Sequence, residues 1–155
     1  FACNGILFNH ESPRRGFEFV TRKISHGAAR IKLGMEKNLE LGNINARRDW
    51  GHAEDYVLAM WKMLQLKKPD DFVIATGKQH SVKEFAKLAF EFLDLDYKKY
   101  IKYNKAYDRP SEVDSLLGNY SRAKKKIKWK PKISFKELVK NMVTEDLKLV
   151  KKQGY

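Results

Sequence analysis

The chain has 155 residues, 43% of them hydrophobic and 12% aromatic, enough for one domain of ordinary size with a buried core. Thirty-two Lys and Arg against nineteen Asp and Glu leave a net charge of +13, a field that draws phosphate-bearing partners without choosing among nucleotides, nucleic acid and a membrane surface. Cys3 is the only cysteine, which excludes a disulfide framework or multi-thiolate metal site and suits a reducing, cytoplasmic setting.

No apolar run approaches the roughly 18 residues of a membrane span, and nothing at the N-terminus has a charged segment followed by a long apolar one. The chain lacks an initiator Met and begins at Phe1 in what reads as a strand, which points to a piece of something longer. The run from Ala2 to Phe8 reads as a buried strand whose end feeds a polar loop, Asn9 to Gly16. Phe17, Val20, Ile24, Ala28 and Ile31 follow helical spacing until Gly34, with Arg22 and Lys23 off that stripe. Residues 39–43 and 46–52 read as short strands or extended loops around a turn at Asn43 to Asn45. A helix over about 53–66 is expected to bury Val57, Met60, Trp61 and Leu64. Residues 71–77 read as a strand. Ser81 with Glu84 and Ser134 with Glu137 match capping boxes ahead of apolar stripes, and so predict two further helices. The basic segment 122–132 reads as a short helix stopped near Trp129 and Pro131.

Strand and helix alternate as in an α/β protein, where ligands sit beyond the carboxyl ends of strands. The FNHESPRRG loop occupies such a place. It is either a solvated turn, with Ser12, Pro13 and Gly16 supplying turn chemistry, or a phosphate contact, because Arg offers a planar fork to phosphate oxygens. In NARRDWGHAEDYV, residues 45–57, Glu54 and Asp55 suit a helix N-terminus. Arg47, Arg48 and His52 ahead of that helix need an anion or carboxylate to balance them. RPSEVD, 109–114, taken alone reads as a surface loop.

Taken together and in order, NGILFNHESPRRG, FVTRKI, NARRDWGHAEDYV, FVIATGKQHSV, RPSEVD and KWKP resemble the C-terminal part of the GDP-mannose 4,6-dehydratase family. These are extended short-chain dehydrogenase/reductases that act on nucleotide sugars, and the resemblance runs from Phe1 to about Val150. It implies an α/β fold: a substrate-binding lobe, residues 17–155, plus one late strand of a Rossmann sheet and a cofactor loop in residues 1–16, the whole chain forming a single domain. It implies conversion of GDP-mannose to GDP-4-dehydro-6-deoxymannose with NADP, on the way to GDP-fucose or another GDP-deoxyhexose. Asn9, Lys23, Arg48, Arg109 and Glu112 are then implied substrate contacts, and His10 and Arg15 cofactor contacts. Ser12, Arg14 and Arg15 are implied contacts in a homo-oligomer, a dimer or tetramer. One departure is Asp108, where the family usually has an aromatic residue, beside Arg109 as a competitor for its guanidinium.

The chain has no G-x-x-G-x-x-G run, and Tyr120 alone among its tyrosines has a lysine, Lys124, four residues on. The family places its Tyr-x-x-x-Lys pair upstream of the residues matched here, so this chain is expected to supply recognition, with no catalytic residue of its own, and to be inactive alone. His26, His52 and His80 lack metal-ligand spacing, and Trp50, Trp61 and Trp129 read as packing anchors. Two rival readings are a small basic nucleic-acid-binding module, with lysines and aromatics on one face, and a non-catalytic oligomerisation domain. The scatter of lysines and the concentration of arginines in loops favour a discrete anion site, with neither nucleic acid nor membrane as partner.

Overall fold

The computed structural model describes residues 1–108, 111 and 113–152. Its strands are β1 (Gly5–Leu7), β2 (Asn9–Glu11), β3 (Leu39–Leu41), β4 (Arg47–Arg48), β5 (Trp50–His52), β6 (Phe72–Ile74), β7 (His80–Ser81) and β8 (Ile101–Tyr103). Its helices are α1 (Val20–Lys32), α2 (Ala53–Leu64), α3 (Val82–Glu91), α4 (Tyr97–Tyr100), α5 (Ser121–Lys126) and α6 (Phe135–Lys152). The strands meet in pairs: β1 with β6, β2 with β5 and β3 with β8 run parallel, and β4 with β7 antiparallel. Parallel pairs need crossovers, and helices supply them, which is the expected α/β class.

Two hydrophobic clusters hold these layers. In the larger, α1, α3 and α6 pack on one another and on Leu39, Leu41 and Trp50. Ile24, Ala28, Phe85, Phe90, Val139 and Met142 are fully buried there, each large apolar side chain contributing roughly 1.5–3 kcal/mol. The smaller cluster joins α2 and α5 to the β1–β6 pair through Tyr56, Ala59, Met63, Phe72, Ile74, Ile127 and Trp129.

Helix ends follow the sequence closely. Ser81 and Glu84 make both halves of a capping box, and the Ser134 hydroxyl and Glu137 carboxylate do the same at the start of α6. Gly34, at φ 73°, turns the chain after α1. α5 stops at Lys126, before Trp129, and Lys128 takes a left-handed φ of 52°.

Three expectations are corrected. Asn9 to Glu11 is strand, not loop, because its backbone pairs with Trp50 to His52. Arg22 is buried at 6% exposure, held by the fully buried Asp146. Helix α2 buries Tyr56, Ala59 and Met63, and leaves Val57, Trp61 and Leu64 about 60% exposed (60%, 58% and 61%), so Trp61 anchors no packing inside this chain. A helix apolar on two faces turns inward the one whose ring fits beneath Gly51, where a Cβ would collide with Tyr56. Trp50 and Trp129 are buried as expected.

Candidate functional site

β2 decides which residues share a site. Side chains alternate across a strand, so Asn9 and Glu11 face one side and line a cavity of about 300 Å³, while His10 faces the other. Lys23, projecting from the first turn of α1, and Arg48, from β4, line the same cavity, together with Phe19, Trp50 and Tyr107. Three of the residues implied as substrate contacts, Asn9, Lys23 and Arg48, thus converge from three separate elements. Arg109 and Glu112 lie outside the described residues.

The cationic groups are held in place. The Lys23 ammonium lies 3.2 Å from the Tyr107 ring centroid. Tyr107 can come this close because residue 42 is glycine: a Cβ there would stand 2.6 Å from the Tyr107 carbonyl oxygen. Arg48 donates through Nη1 to the carbonyls of Val113 (2.5 Å) and Arg47 (2.8 Å). Arg47, one residue away and on the opposite side of the strand, turns to Glu84 at 3.5 Å and to the Gln79 carbonyl. Asp108, the departure beside Arg109, accepts a hydrogen bond from the Tyr103 hydroxyl.

Asp49, between Arg48 and Trp50, is fully buried. Its two oxygens accept from the Thr76 amide (2.8 Å) and hydroxyl (2.6 Å), the Gly77 amide (2.9 Å) and the Gly118 amide (3.2 Å). One carboxylate thereby ties two loops, at Thr76–Gly77 and at Gly118, to the strand end beside Arg48. Asp55 goes further than decorating a helix end: its carboxylate accepts from the Lys132 and Ile133 amides, and its carbonyl from the Trp129 indole.

His10 and Arg15 stand apart from the cavity lining. The His10 ring stacks on Tyr56 at 4.9 Å, and its Nδ1 lies 2.9 Å from the Phe8 carbonyl. A carbonyl only accepts, so Nδ1 carries the proton in this contact. Among the described residues the buried Tyr56 hydroxyl has no hydrogen-bond partner, and burial with nearby Asp49, Asp55 and Glu11 pushes its ionisation well above the usual phenol range. Arg15 pairs through Nε with Glu11 at 3.1 Å and lays its guanidinium over Phe19, 3.4 Å from the centroid. It thus borders the cavity through two residues that line it. Arg14 is exposed on a turn where the Ser12 hydroxyl accepts from the Arg14 amide.

Sequence reasoning passed over Glu11, Thr21 and Tyr107. Glu11 lay within the quoted motif, and period-2 alternation from Asn9 was the signal that could have found it. The histidines have structural partners: His26 meets Phe17 edge-on, His52 caps α2 and bonds Asn141, and His80 stacks face to face on Phe135 at 3.7 Å. Tyr120 packs edge-on against Trp129 at 5.7 Å, and its carbonyl accepts from the Lys124 amide. No described helix is long and apolar enough to cross a membrane.

The family model for GDP-mannose 4,6 dehydratase matches residues 1–142. GDP-mannose 4,6 dehydratase 1 of Arabidopsis thaliana is 57% identical over 153 residues, covering 99% of this chain and 42% of the relative. The Homo sapiens GDP-mannose 4,6 dehydratase is 49% identical over 168 residues, covering 97% and 45%. The chain therefore spans less than half the length of these relatives. Among solved structures, RMD from Pseudomonas aeruginosa complexed with NADPH superposes with a TM-score of 0.85 at 22% identity over 94% of this chain and 48% of that one. A dTDP-glucose 4,6-dehydratase from Bacillus anthracis in complex with NAD gives 0.76 at 20% identity, over 90% and 42%. Both structures share this chain's fold. With a family model covering residues 1–142 and relatives about half identical along nearly its whole length, this chain belongs to the GDP-mannose 4,6-dehydratase family.

Proposed function

We propose that this chain is the substrate-recognition portion, and part of the cofactor clamp, of an NADP-dependent GDP-mannose 4,6-dehydratase, a lyase that forms GDP-4-dehydro-6-deoxymannose. The observation that carries the reading is the convergence of Asn9, Lys23 and Arg48 on one cavity. An ammonium and a guanidinium facing a half-enclosed space neutralise a diphosphate with charge-assisted hydrogen bonds. Asn9 and Glu11 supply a neutral amide and an acceptor for hydroxyls on the same wall. Arg109 and Glu112 belong to this contact set by family resemblance.

The nicotinamide cofactor supplies hydride transfer at the hexose when bound. The residues here fit one edge of it. His10 is pinned by Phe8 and Tyr56 through Nδ1 and its ring face, which leaves Nε2 for a ribose hydroxyl or carboxamide. Arg15 suits a phosphate, and exposed Arg14 with Ser12 suits a neighbouring subunit of a homo-oligomer. The pyrophosphate cradle would come from residues other than these 155, which hold no Gly-rich run.

Isothermal calorimetry tests the reading: the chain should take up GDP-mannose weakly but in clear preference to mannose and to single-stranded oligonucleotide. Equal heats for all three would sink it.

A further inference from the structure

Consecutive residues of α1 grip Arg15 at both of its ends. Thr21 donates from its hydroxyl to Glu11 at 2.6 Å, and Glu11, 1% exposed, forms an ion pair with Arg15 at 3.1 Å from Nε, without a hydrogen bond at that nitrogen. Arg22 donates from Nη1 to the Arg15 carbonyl at 2.9 Å and also to the Pro13 carbonyl. The Arg22 Nε pairs with Asp146 of α6 at 2.7 Å. The second Asp146 oxygen accepts from the Ser25 hydroxyl at 2.5 Å, and the face of the Arg22 guanidinium covers Phe17 at 4.5 Å.

We propose that Arg22 is a positioning residue: anchored by Asp146, it sets the backbone of the Pro13–Arg15 loop so that the Arg15 guanidinium stays over Phe19 at the cavity edge. The geometry calls for arginine. Only a planar fork reaches a carboxylate with one nitrogen and two carbonyls with another, whereas a lysine offers one point of donation. Asp146 removes the charge imbalance that would otherwise make a buried guanidinium prohibitive. A buried pair serving only to join α1 to α6 would have no need of the two loop carbonyls.

The functional half of this inference rests on Arg15 acting in the cofactor clamp; the structural half does not. Arg14 and Arg15 are themselves trypsin sites, so the loop reports on its own hold. In Arg22→Lys, which keeps a trypsin site and the charge, and in the near-isosteric Asp146→Asn, cleavage after Arg14 and Arg15 should quicken roughly tenfold as the loop opens more often. Cleavage after Arg30 and Lys62 should stay at the wild-type rate. Loop cleavage as slow as wild type in both variants overturns the proposal, and so does acceleration by the same factor at Arg30 and Lys62, which would make the pair a fold-wide brace. NADPH fluorescence titration separates the halves. Intact wild-type enzyme that fails to bind NADPH removes the cofactor reading and leaves the cleavage comparison decisive for the brace. Binding by the wild type that persists undiminished in a variant with a loosened loop overturns the positioning role.

Discussion

The Lys23 ammonium and the Tyr107 ring are stacked at 3.2 Å on the wall of the cavity that Asn9 and Arg48 also line. The ring holds the cation with an attraction of about 0.5–1 kcal/mol at a partly exposed site, while a phosphate offers a stronger, charge-assisted partner. Replacing Lys23 by Met should therefore weaken GDP-mannose binding by about 1.5–3 kcal/mol. Tyr107→Leu, which frees the ammonium without removing it, should change affinity by less than about 1 kcal/mol. Calorimetry on both variants decides this; a larger loss from Tyr107→Leu than from Lys23→Met would place the binding energy on the ring instead.

Arg48 and Arg109 carry the second prediction. In the intact enzyme, Arg48→Ala and Arg109→Ala should each weaken substrate binding by about 1.5–3 kcal/mol through lost charge-assisted hydrogen bonds. Arg48 also bonds the Val113 and Arg47 carbonyls, so its removal should in addition loosen the 113–116 segment. Arg48→Lys separates the two effects, keeping charge while losing the fork. Unchanged affinity in both alanine variants takes these arginines out of the site.

Asp49 sits beside Arg48 and carries no ligand in this reading. Its carboxylate takes four hydrogen bonds from Thr76, Gly77 and Gly118. Asp49→Ala would strand the amides of buried Gly118, half-buried Thr76 and exposed Gly77, the buried one alone costing about 1–3 kcal/mol when unsatisfied. Urea unfolding should show a loss of about 2–3 kcal/mol, against a smaller one for Asp49→Asn. A loss under 1 kcal/mol would mean that water replaces the carboxylate with ease.

What the sequence made legible, and what it hid, follows from local against long-range physics. Ser81 with Glu84 and Ser134 with Glu137 are interactions within four residues, so spacing alone marked the starts of α3 and α6. Asn9, Lys23 and Arg48 could be named from the family resemblance, but their meeting depends on β2 lying beside β5 and α1 starting just past the loop. Arg22 was assigned to the outside because its partner, Asp146, is 124 residues away. On α2 both Val57–Trp61–Leu64 and Tyr56–Ala59–Met63 keep helical spacing, and periodicity has no means of ranking two apolar faces. Burial chose the second because Tyr56 fits under Gly51 and against Trp129.

Catalytic inactivity of the isolated chain is a fourth expectation. The tyrosine with a lysine at the right spacing, Tyr120, spends its ring on Trp129 and its carbonyl on the Lys124 amide. Purified 155-residue chain given GDP-mannose and NADP should yield no dehydrated product by mass spectrometry while still binding the sugar nucleotide. Product from homogeneous material would place reactive groups within these residues.

Glu11 gives a pH test. Burial raises its carboxyl above the ordinary glutamate value of 4.5, and the Thr21 hydroxyl, Arg15 and His10 pull it down without cancelling the rise. A folded-state pKa above the unfolded one means that the native state takes up the proton more readily. The stabilisation from protonated Glu11 is then complete below the unfolded value and lost as pH climbs through the folded one. Glu11→Gln is neutral at every pH and keeps an acceptor for Thr21. The variant should be more stable than wild type at pH 7, with the gap closing as pH falls toward 4.5. Asp146, also raised by burial, and His26, lowered by it, are present in both proteins, so the difference between their urea midpoints isolates Glu11. A variant less stable than wild type at pH 7 would show that the Arg15 ion pair outweighs desolvation at this site.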